Sequence, residues 1–312
     1  MASYLVTGGA GFIGSNIVET LVKRGERVRV LDNFSTGFRK NLVALEKDID
    51  IIDGDLRDPE TLQSAVDGID YVLHQSALPS VPRSIAAPFT SNAVNVDGTL
   101  NLLIAARHAG VKRVVAASSS SVYGDTPTLP KREDMMMNPL SPYAVSKLAT
   151  EQYCRAFFTS YGLETVALRY FNVFGPRQNP ASQYAAVIPK FIQMALKGEQ
   201  PVIYGDGEQS RDFTFVENVV EANLLAATTP GIGGQIYNIA ANGTHTLLKV
   251  VDMIANELGV SVTPRFEPPR AGDIKHSWAD IEKAKRDMGY CVKVGFEEGI
   301  ARTCAWLKDA NR

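Results

Sequence analysis

Cysteine is scarce in this 312-residue chain: Cys154, Cys291 and Cys304 are its three. They lie far apart and make no metal-ligand spacing, so no metal site is expected. Their odd number and scatter do not fit a disulfide scaffold and suit a reducing compartment. Long apolar runs are missing as well, which excludes a bilayer-spanning helix of about 20 residues. Neither sign of charge dominates: Lys plus Arg number 32, Asp plus Glu 34, and the net charge is −2. No basic block points to a nucleic acid. There is no internal repeat, no low-complexity tract and no leader-like start ahead of the first strand. The expectation is a cytoplasmic enzyme of one large or two intimate domains, with an ordinary 45% hydrophobic content.

What is present begins at the N-terminus. Tyr4-Leu5-Val6 reads as a short strand running into Thr7-Gly8-Gly9-Ala10-Gly11-Phe12-Ile13-Gly14. A helical pattern follows, with Ile17, Val18, Leu21 and Val22 on one face. Residues without a Cβ let backbone N–H groups approach a pyrophosphate at a helix N-terminus. The next strand, Val28-Arg29-Val30-Leu31, ends in Asp32, at the spacing expected of an acid that holds an adenosine ribose. A carboxylate there repels a 2′-phosphate, so NAD is expected rather than NADP. Arg39 and Lys40, past the turn Ser35-Thr36-Gly37, read as solvated surface charges.

The first half alternates strands (3–7, 28–31, 50–53, 70–74, 112–118) with helices (around 13–24, 59–67 and 90–109), the pattern of a parallel sheet covered by helices on both faces. Ligands gather at the carboxyl ends of such strands. Gly54-Asp55-Leu56 is placed to reach an adenine. His74, ahead of Gln75-Ser76-Ala77, reads as a packed structural histidine. The run Ser118 to Ser121 follows the apolar stretch Val114-Val115-Ala116-Ala117. A helix around 143–161 carries Tyr143 and Lys147, which share one face at i, i+4. Tyr-x-x-x-Lys is common by chance; the glycine turn gives it weight. A nearby ammonium favours the phenolate, making Tyr143 a candidate base, and a serine hydroxyl could share its proton. A strand at about 164–169 follows, and beyond 176 the chain reads as richer in loops. Met135-Met136-Met137 reads as an adaptable loop contact.

These motifs, with Arg169-Tyr170-Phe171-Asn172, resemble the extended short-chain dehydrogenase/reductase family and, within it, the nucleotide-sugar 4-epimerases. Ala77-Leu78-Pro79-Ser80-Val81-Pro82-Arg83-Ser84, Tyr184-Ala185-Ala186-Val187-Ile188-Pro189-Lys190 and Gly205-Asp206-Gly207 look similar to bacterial UDP-N-acetylglucosamine 4-epimerases. Pro79 departs from the glycine expected there. The resemblance implies an α/β, Rossmann-type doubly wound sheet with a smaller C-terminal α/β substrate domain. The NAD unit would be 1–174 plus about 213–241, and the UDP-sugar unit about 175–212 plus 242–312. It implies catalysis by Ser119, Tyr143 and Lys147. NAD would be held by Gly8, Gly11, Phe12, Ile13, Gly14, Asp32, Asn33, Ser35, Thr36, Gly37, Asp55, Leu56, Gln75, Ala77, Asn95, Tyr143, Lys147, Tyr170 and Val173. The UDP-sugar would meet Ser80, Ser119, Ser120, Tyr143, Asn172, Ala186, Val187, Lys190, Tyr204, Arg211, Arg270, Asp273 and Ser277. Arginines suit a diphosphate, which they can grip with two donors. A homodimer pairing helices near 92–109 and 143–161 is also implied.

The chemistry so implied is redox-neutral. Tyr143 removes the 4-hydroxyl proton, hydride leaves C4 for the nicotinamide, and a transient 4-keto sugar turns over before hydride returns. Lys147 and the nicotinamide ring would lower the tyrosine pKa from about 10. Related dehydratases and decarboxylases place acids in the segment that here reads Ser119-Ser120-Ser121-Val122-Tyr123, and serines cannot expel a 6-hydroxyl. Asp125 lies beyond Gly124. Two alternatives stay open: a UDP-glucuronate 4-epimerase, against which Asn172 argues mildly, and a nucleotide-sugar-binding protein without turnover. Ser277, being small, would admit an acetamido group at the sugar C2.

Overall fold

The computed structural model describes residues 1–180, 186–269 and 275–310. Its first strands are β1 (Ser3–Thr7), β2 (Arg27–Asp32), β3 (Ile49–Asp53), β4 (Tyr71–His74), β5 (Arg113–Ser119) and β6 (Thr165–Tyr170). Shorter ones follow: β7 (Val173–Phe174), β8 (Val202–Tyr204), β9 (Ser210–Arg211) and β10 (Thr214–Phe215). The last are β11 (Gln235–Ile239), β12 (His245–Thr246), β13 (Arg265–Glu267) and β14 (His276–Ser277). The helices of the first half are α1 (Phe12–Lys23), α2 (Pro59–Val66), α3 (Val81–Ala86), α4 (Pro88–Asn92), α5 (Gly98–His108) and α6 (Pro142–Tyr161). Those of the second half are α7 (Val187–Leu196), α8 (Val216–Thr228), α9 (Leu247–Leu258), α10 (Glu282–Met288) and α11 (Phe296–Ala310). None of the described helices is long and apolar enough to cross a membrane.

Seven strands form one sheet in the order β11-β6-β5-β4-β1-β2-β3, every neighbouring pair parallel. Alternation along the strands splits the core between two faces. Tyr4, Val6, Val28 and Val30 join Ile17 and Leu21 of α1 and Val219 of α8. Leu5, Leu31, Val72 and Val114 join Leu62, Leu102 and Phe157 of α2, α5 and α6. The strand order reverses direction at β1 and β4, and a crevice opens there at the carboxyl edge. Thr7, Asp32, His74 and Ser119 all end strands on that edge.

The first core continues without a break into Phe191, Ile192, Ile254, Phe296 and Leu307. The second half is therefore packed onto the sheet rather than tethered to it. Its strands make small sheets: β7 with β10, β8 with β13, and β12-β9-β14. Beyond 176 these short strands are joined by loops, with α7 to α11 among them. In α9, Val250, Val251 and Ile254 bury one stripe of a helix capped by Thr246 at its start and Gly259 at its end.

The helix expected around 90–109 forms, with a wider turn in its middle. The segment divides into α4, a wide π-turn over Ala93–Asp97, and α5. At the turn, the Asn95 amide is drawn off the helix surface. Its oxygen accepts from Leu78 N at 2.8 Å and its nitrogen donates to Ser146 Oγ at 3.0 Å. Such turns frequently interrupt helices at functional sites.

Candidate active site

The crevice has a volume of about 830 Å³. Its first end is built from backbone. Gly8 has φ +69°, and a Cβ on Gly14 would stand 2.1 Å from the Gly8 carbonyl oxygen, so the turn lies directly against the first turn of α1. Gly8, Gly11, Phe12, Ile13 and Gly14 line this end, with Asn33, Ser35, Thr36, Gly37, Asp55 and Leu56. Asp32 is buried; its oxygens accept from Ala10 N at 2.9 Å and Phe34 N at 2.8 Å. Burial raises its pKa and the two N–H groups oppose that rise. Asp53 pairs with Asp32 across β2 and β3 and binds Arg39, whose guanidinium also covers the Phe34 ring. Arg39 is largely exposed, as the sequence suggested, and makes a surface ion pair. Arg57 and Asn33 grip Asp55, holding its carboxyl well below the usual range.

The second end is built from side chains. Ser141 caps α6 by accepting from Ala144 N at 3.1 Å, and Pro142 sits in its first turn. Tyr143, next along, stands near Ser119 at the end of β5, and the serine hydroxyl acts to lower its pKa. The Ser119 oxygen already accepts from Ser121 N at 3.2 Å, leaving its proton for the phenol oxygen. Lys147 is buried and donates to Ala117 O at 2.9 Å. Burial pushes it down to about 8. Tyr143 goes the opposite way to the expectation: burial raises it, and the group that opposes the rise is Ser119, not Lys147. Packing around the ring disfavours the phenolate more than the Ser119 hydroxyl favours it. His74 is the structural residue expected. It lies between Thr7 Oγ1 at 2.7 Å and Thr99 Oγ1 at 3.0 Å, and burial pushes it down to about 3.

A second hollow of about 320 Å³ adjoins the crevice. Asn172, Val173 and Ala186 line both. Asn172 has φ +36°, a strained value that Asn bears better than most residues, and its amide donates to Asp212 O at 3.0 Å. Val187, Lys190, Tyr204 and Arg211 line the hollow. Ala186 and Val187 place the N-terminus of α7 there, a favourable end for an anion.

A family profile described as "Epimerase: NAD dependent epimerase/dehydratase family" matches residues 4–240. Over 99% of both chains, the sequence is 38% identical to UDP-glucose 4-epimerase of Mycolicibacterium smegmatis. Among solved structures it is similar to UDP-N-acetylglucosamine 4-epimerase from Methanobrevibacter ruminantium M1 in complex with UDP-N-acetylmuramic acid, with 42% identity, a TM-score of 0.95 and 99% of each chain covered. The UDP-glucose 4-epimerase of Thermus thermophilus, in complex with NAD, gives 39% identity and a TM-score of 0.89, again over 99% of each chain. The chain belongs to the NAD dependent epimerase/dehydratase family. NAD is the family's cofactor, and the glycine cradle and Asp32 at the first end fit it.

Of the residues expected to meet NAD, Gln75, Ala77, Tyr170 and Val173 also line the crevice. The Tyr170 hydroxyl is held between Gln75 and Asn223. Asn95 is the exception. It is buried behind Leu78 with its amide fully engaged, so it shapes the loop that lines the crevice and does not line it. Ser80 and Ser120 line the sugar end; Pro79 lies on the wall beside Ser80. Ser277 lines neither hollow. Its register partner is Arg211, which does, so the two share a sheet face. Arg270, Asp273, Tyr184 and Ala185 fall outside the described residues.

Sequence reasoning passed over Ser121, whose buried hydroxyl lines the crevice and finds no partner among the described residues. The serine run itself was the available signal. It also passed over Arg83, Arg177 and Gln178 on the crevice wall and Gln209, Phe213 and Leu247 around the second hollow. Those come together only through tertiary packing.

Proposed function

We propose that this family member interconverts the C4 epimers UDP-N-acetylglucosamine and UDP-N-acetylgalactosamine, and with them UDP-glucose and UDP-galactose. One observation carries the reading. The described residues at the reacting end offer hydroxyls (Ser119, Ser120, Ser121), a phenol (Tyr143) and an ammonium (Lys147), while the two carboxylates lining the crevice, Asp32 and Asp55, stand at the adenosine end. An enzyme that expels water or carbon dioxide from the sugar needs an acid where these serines are. Tyr143 takes the proton of the 4-hydroxyl and returns it on the other face. Ser119 donates to the tyrosine oxygen and steadies its charge. NAD, when bound, supplies reversible hydride storage at C4 and a positive ring in its oxidised form. Lys190, Arg211 and the N-terminus of α7 hold the diphosphate, so the keto sugar can turn while its anchor stays. Similarity to a UDP-N-acetylglucosamine 4-epimerase supports the acetamido pair.

The test is incubation of the protein with NAD and each UDP-hexose, followed by chromatography and mass spectrometry. The C4 epimer of UDP-N-acetylglucosamine is the expected product. A sugar nucleotide lighter by one water would overturn the reading. A second reading, UDP-glucuronate as substrate, is favoured by Arg83. Its side chain lines the crevice with no hydrogen bond or ion pair among the described residues, whereas Arg177, on the same wall, is bound to Glu19. Including UDP-glucuronate in the same assay decides between them. We also propose a homodimer through α5 and α6, where Ile104, Val145, Phe158 and Tyr161 are exposed. Light scattering giving a monomer mass would remove that proposal.

A further inference from the structure

The chain buries an ion pair that the proposed chemistry does not use. Glu151 and Arg169 are 0% and 2% exposed. The guanidinium grips both carboxylate oxygens, Nε at 2.8 Å and Nη2 at 2.7 Å. Burying two charges costs desolvation that their attraction roughly offsets, so such a pair adds little net stability. Its position is more informative. Glu151 is one helical turn after Lys147 on α6, as Lys147 is one turn after Tyr143. Its Oε1 also accepts from Ser118 Oγ at 2.5 Å. Ser118 stands between Ala117, whose carbonyl takes the Lys147 ammonium, and Ser119, which meets Tyr143. One carboxylate thus ties the strand end to the helix at the point where both reactive groups are held.

The other titratable groups facing Lys147 are neutral. Cys154 on α6 is pushed up to about 12 by burial and His74 on β4 is pushed down to about 3. Tyr143 is raised too. Cys154 and Glu151 are the two groups set against the burial of Lys147; with the thiol neutral, Glu151 is the anion of the two, with Arg169 behind it, bound onward to Tyr123 at 2.8 Å.

We infer that Glu151, locked by Arg169, is a positioning residue for the Tyr143–Lys147 pair: it keeps the Lys147 ammonium charged and fixes the strand end that carries Ser119. This rests on the proposed roles of those residues, so the test reads Lys147 directly. Protein isotope-labelled at lysine Cε and saturated with NAD is titrated by NMR, with the Lys147 signal assigned from Lys147→Arg. Glu151→Gln should lower the Lys147 midpoint by about one unit or more, a tenfold change in its charged fraction. Arg169→Met should raise it, because the carboxylate then faces Lys147 alone. The double variant, which leaves no unpaired buried charge and so guards against misfolding, should fall between Glu151→Gln and the wild type. In steady-state assays Glu151→Gln should move the alkaline limb of kcat to lower pH with KM for the UDP-sugar unchanged. A common midpoint in all four proteins, or shifts of one sign in Glu151→Gln and Arg169→Met, would overturn the inference. A wild type without epimerase activity would instead sink the proposed function and leave the titration result standing.

Discussion

The two ends of the crevice are made in different ways. The cofactor end is mostly backbone: a glycine turn, a helix N-terminus and one carboxylate held by two N–H groups, most of it within residues 8–37. The sugar end is mostly side chains brought from β5, α3, α6, α7 and β9, over a span from Ser80 to Arg211. A turn pressed against a helix tolerates almost no change of residue. A wall of side chains can be revised one position at a time. Fixed cofactor handling and adjustable sugar choice follow from that difference.

The comparison breaks most sharply at Gly14. Gly14→Val puts a branched side chain where even a Cβ would meet backbone at 2.1 Å, and neither the turn nor α1 can move aside. NAD affinity should fall by about 100-fold or more, about 2.7 kcal/mol. Calorimetry showing near-normal binding would mean that the turn is looser than its geometry. At the other end, Tyr143→Phe should leave NAD binding intact while turnover drops by ~10² or more, the scale of a lost positioned base. Retained epimerisation in that variant would move the base elsewhere.

Asp32→Ala sharpens the same contrast with a smaller effect. NAD binding should weaken and preference over NADP should narrow by about tenfold, since the buried carboxylate that repels a 2′-phosphate is then gone. Unchanged preference would remove Asp32 from the discrimination. Ser277→Tyr probes the sugar wall. Ser277 shares a sheet face with Arg211, so a ring there should crowd the arginine and any acetamido group near it, at roughly 1–3 kcal/mol. Activity on the N-acetylated pair should fall more than on UDP-glucose. Equal losses would mean that Ser277 acts through Arg211 alone.

The same difference explains what could be read from sequence. Local order sufficed for β1, the glycine turn, α1 and Asp32, because each element touches the next in the chain. It sufficed for Tyr143 and Lys147, which one helix face brings together. It gave no sign that Leu78 and Ser146 would hold the Asn95 amide at a wide turn. It missed Ser121 and Arg83 because their significance depends on which wall they join. The sign of the Tyr143 shift was missed for a related reason. Spacing shows that an ammonium is near, but the burial that outweighs it is a property of the packed fold.

Each end also buries a carboxylate on backbone N–H groups, and the smallest expected effect separates them. Asp32 lines the crevice; Asp212, next to Arg211 in the chain, is 0% exposed and lines neither hollow. Its Oδ1 accepts from Ala241 N at 2.9 Å, while Oδ2 is buried without a close partner among the described residues. Burial, the largest influence, pushes it up to about 6, against the opposing N–H groups of Ala241, Ala279, Gly243 and Asn242. A carboxyl raised above its unfolded pKa of about 3.9 binds more protons folded than unfolded between the two values. Its contribution to stability is therefore full below about pH 4 and lost as pH rises through about 6. Asp212→Asn removes that loss, because an amide keeps an acceptor for Ala241 N and has no charge to bury. The variant should match the wild type near pH 4 and be more stable by about 1–2 kcal/mol at pH 7, on the scale of 1.36 kcal/mol per unit discounted for relaxation. Denaturant melts at the two pH values measure this. A variant less stable at pH 7 would show that the backbone N–H groups around Asp212 hold its charge more strongly than burial opposes it.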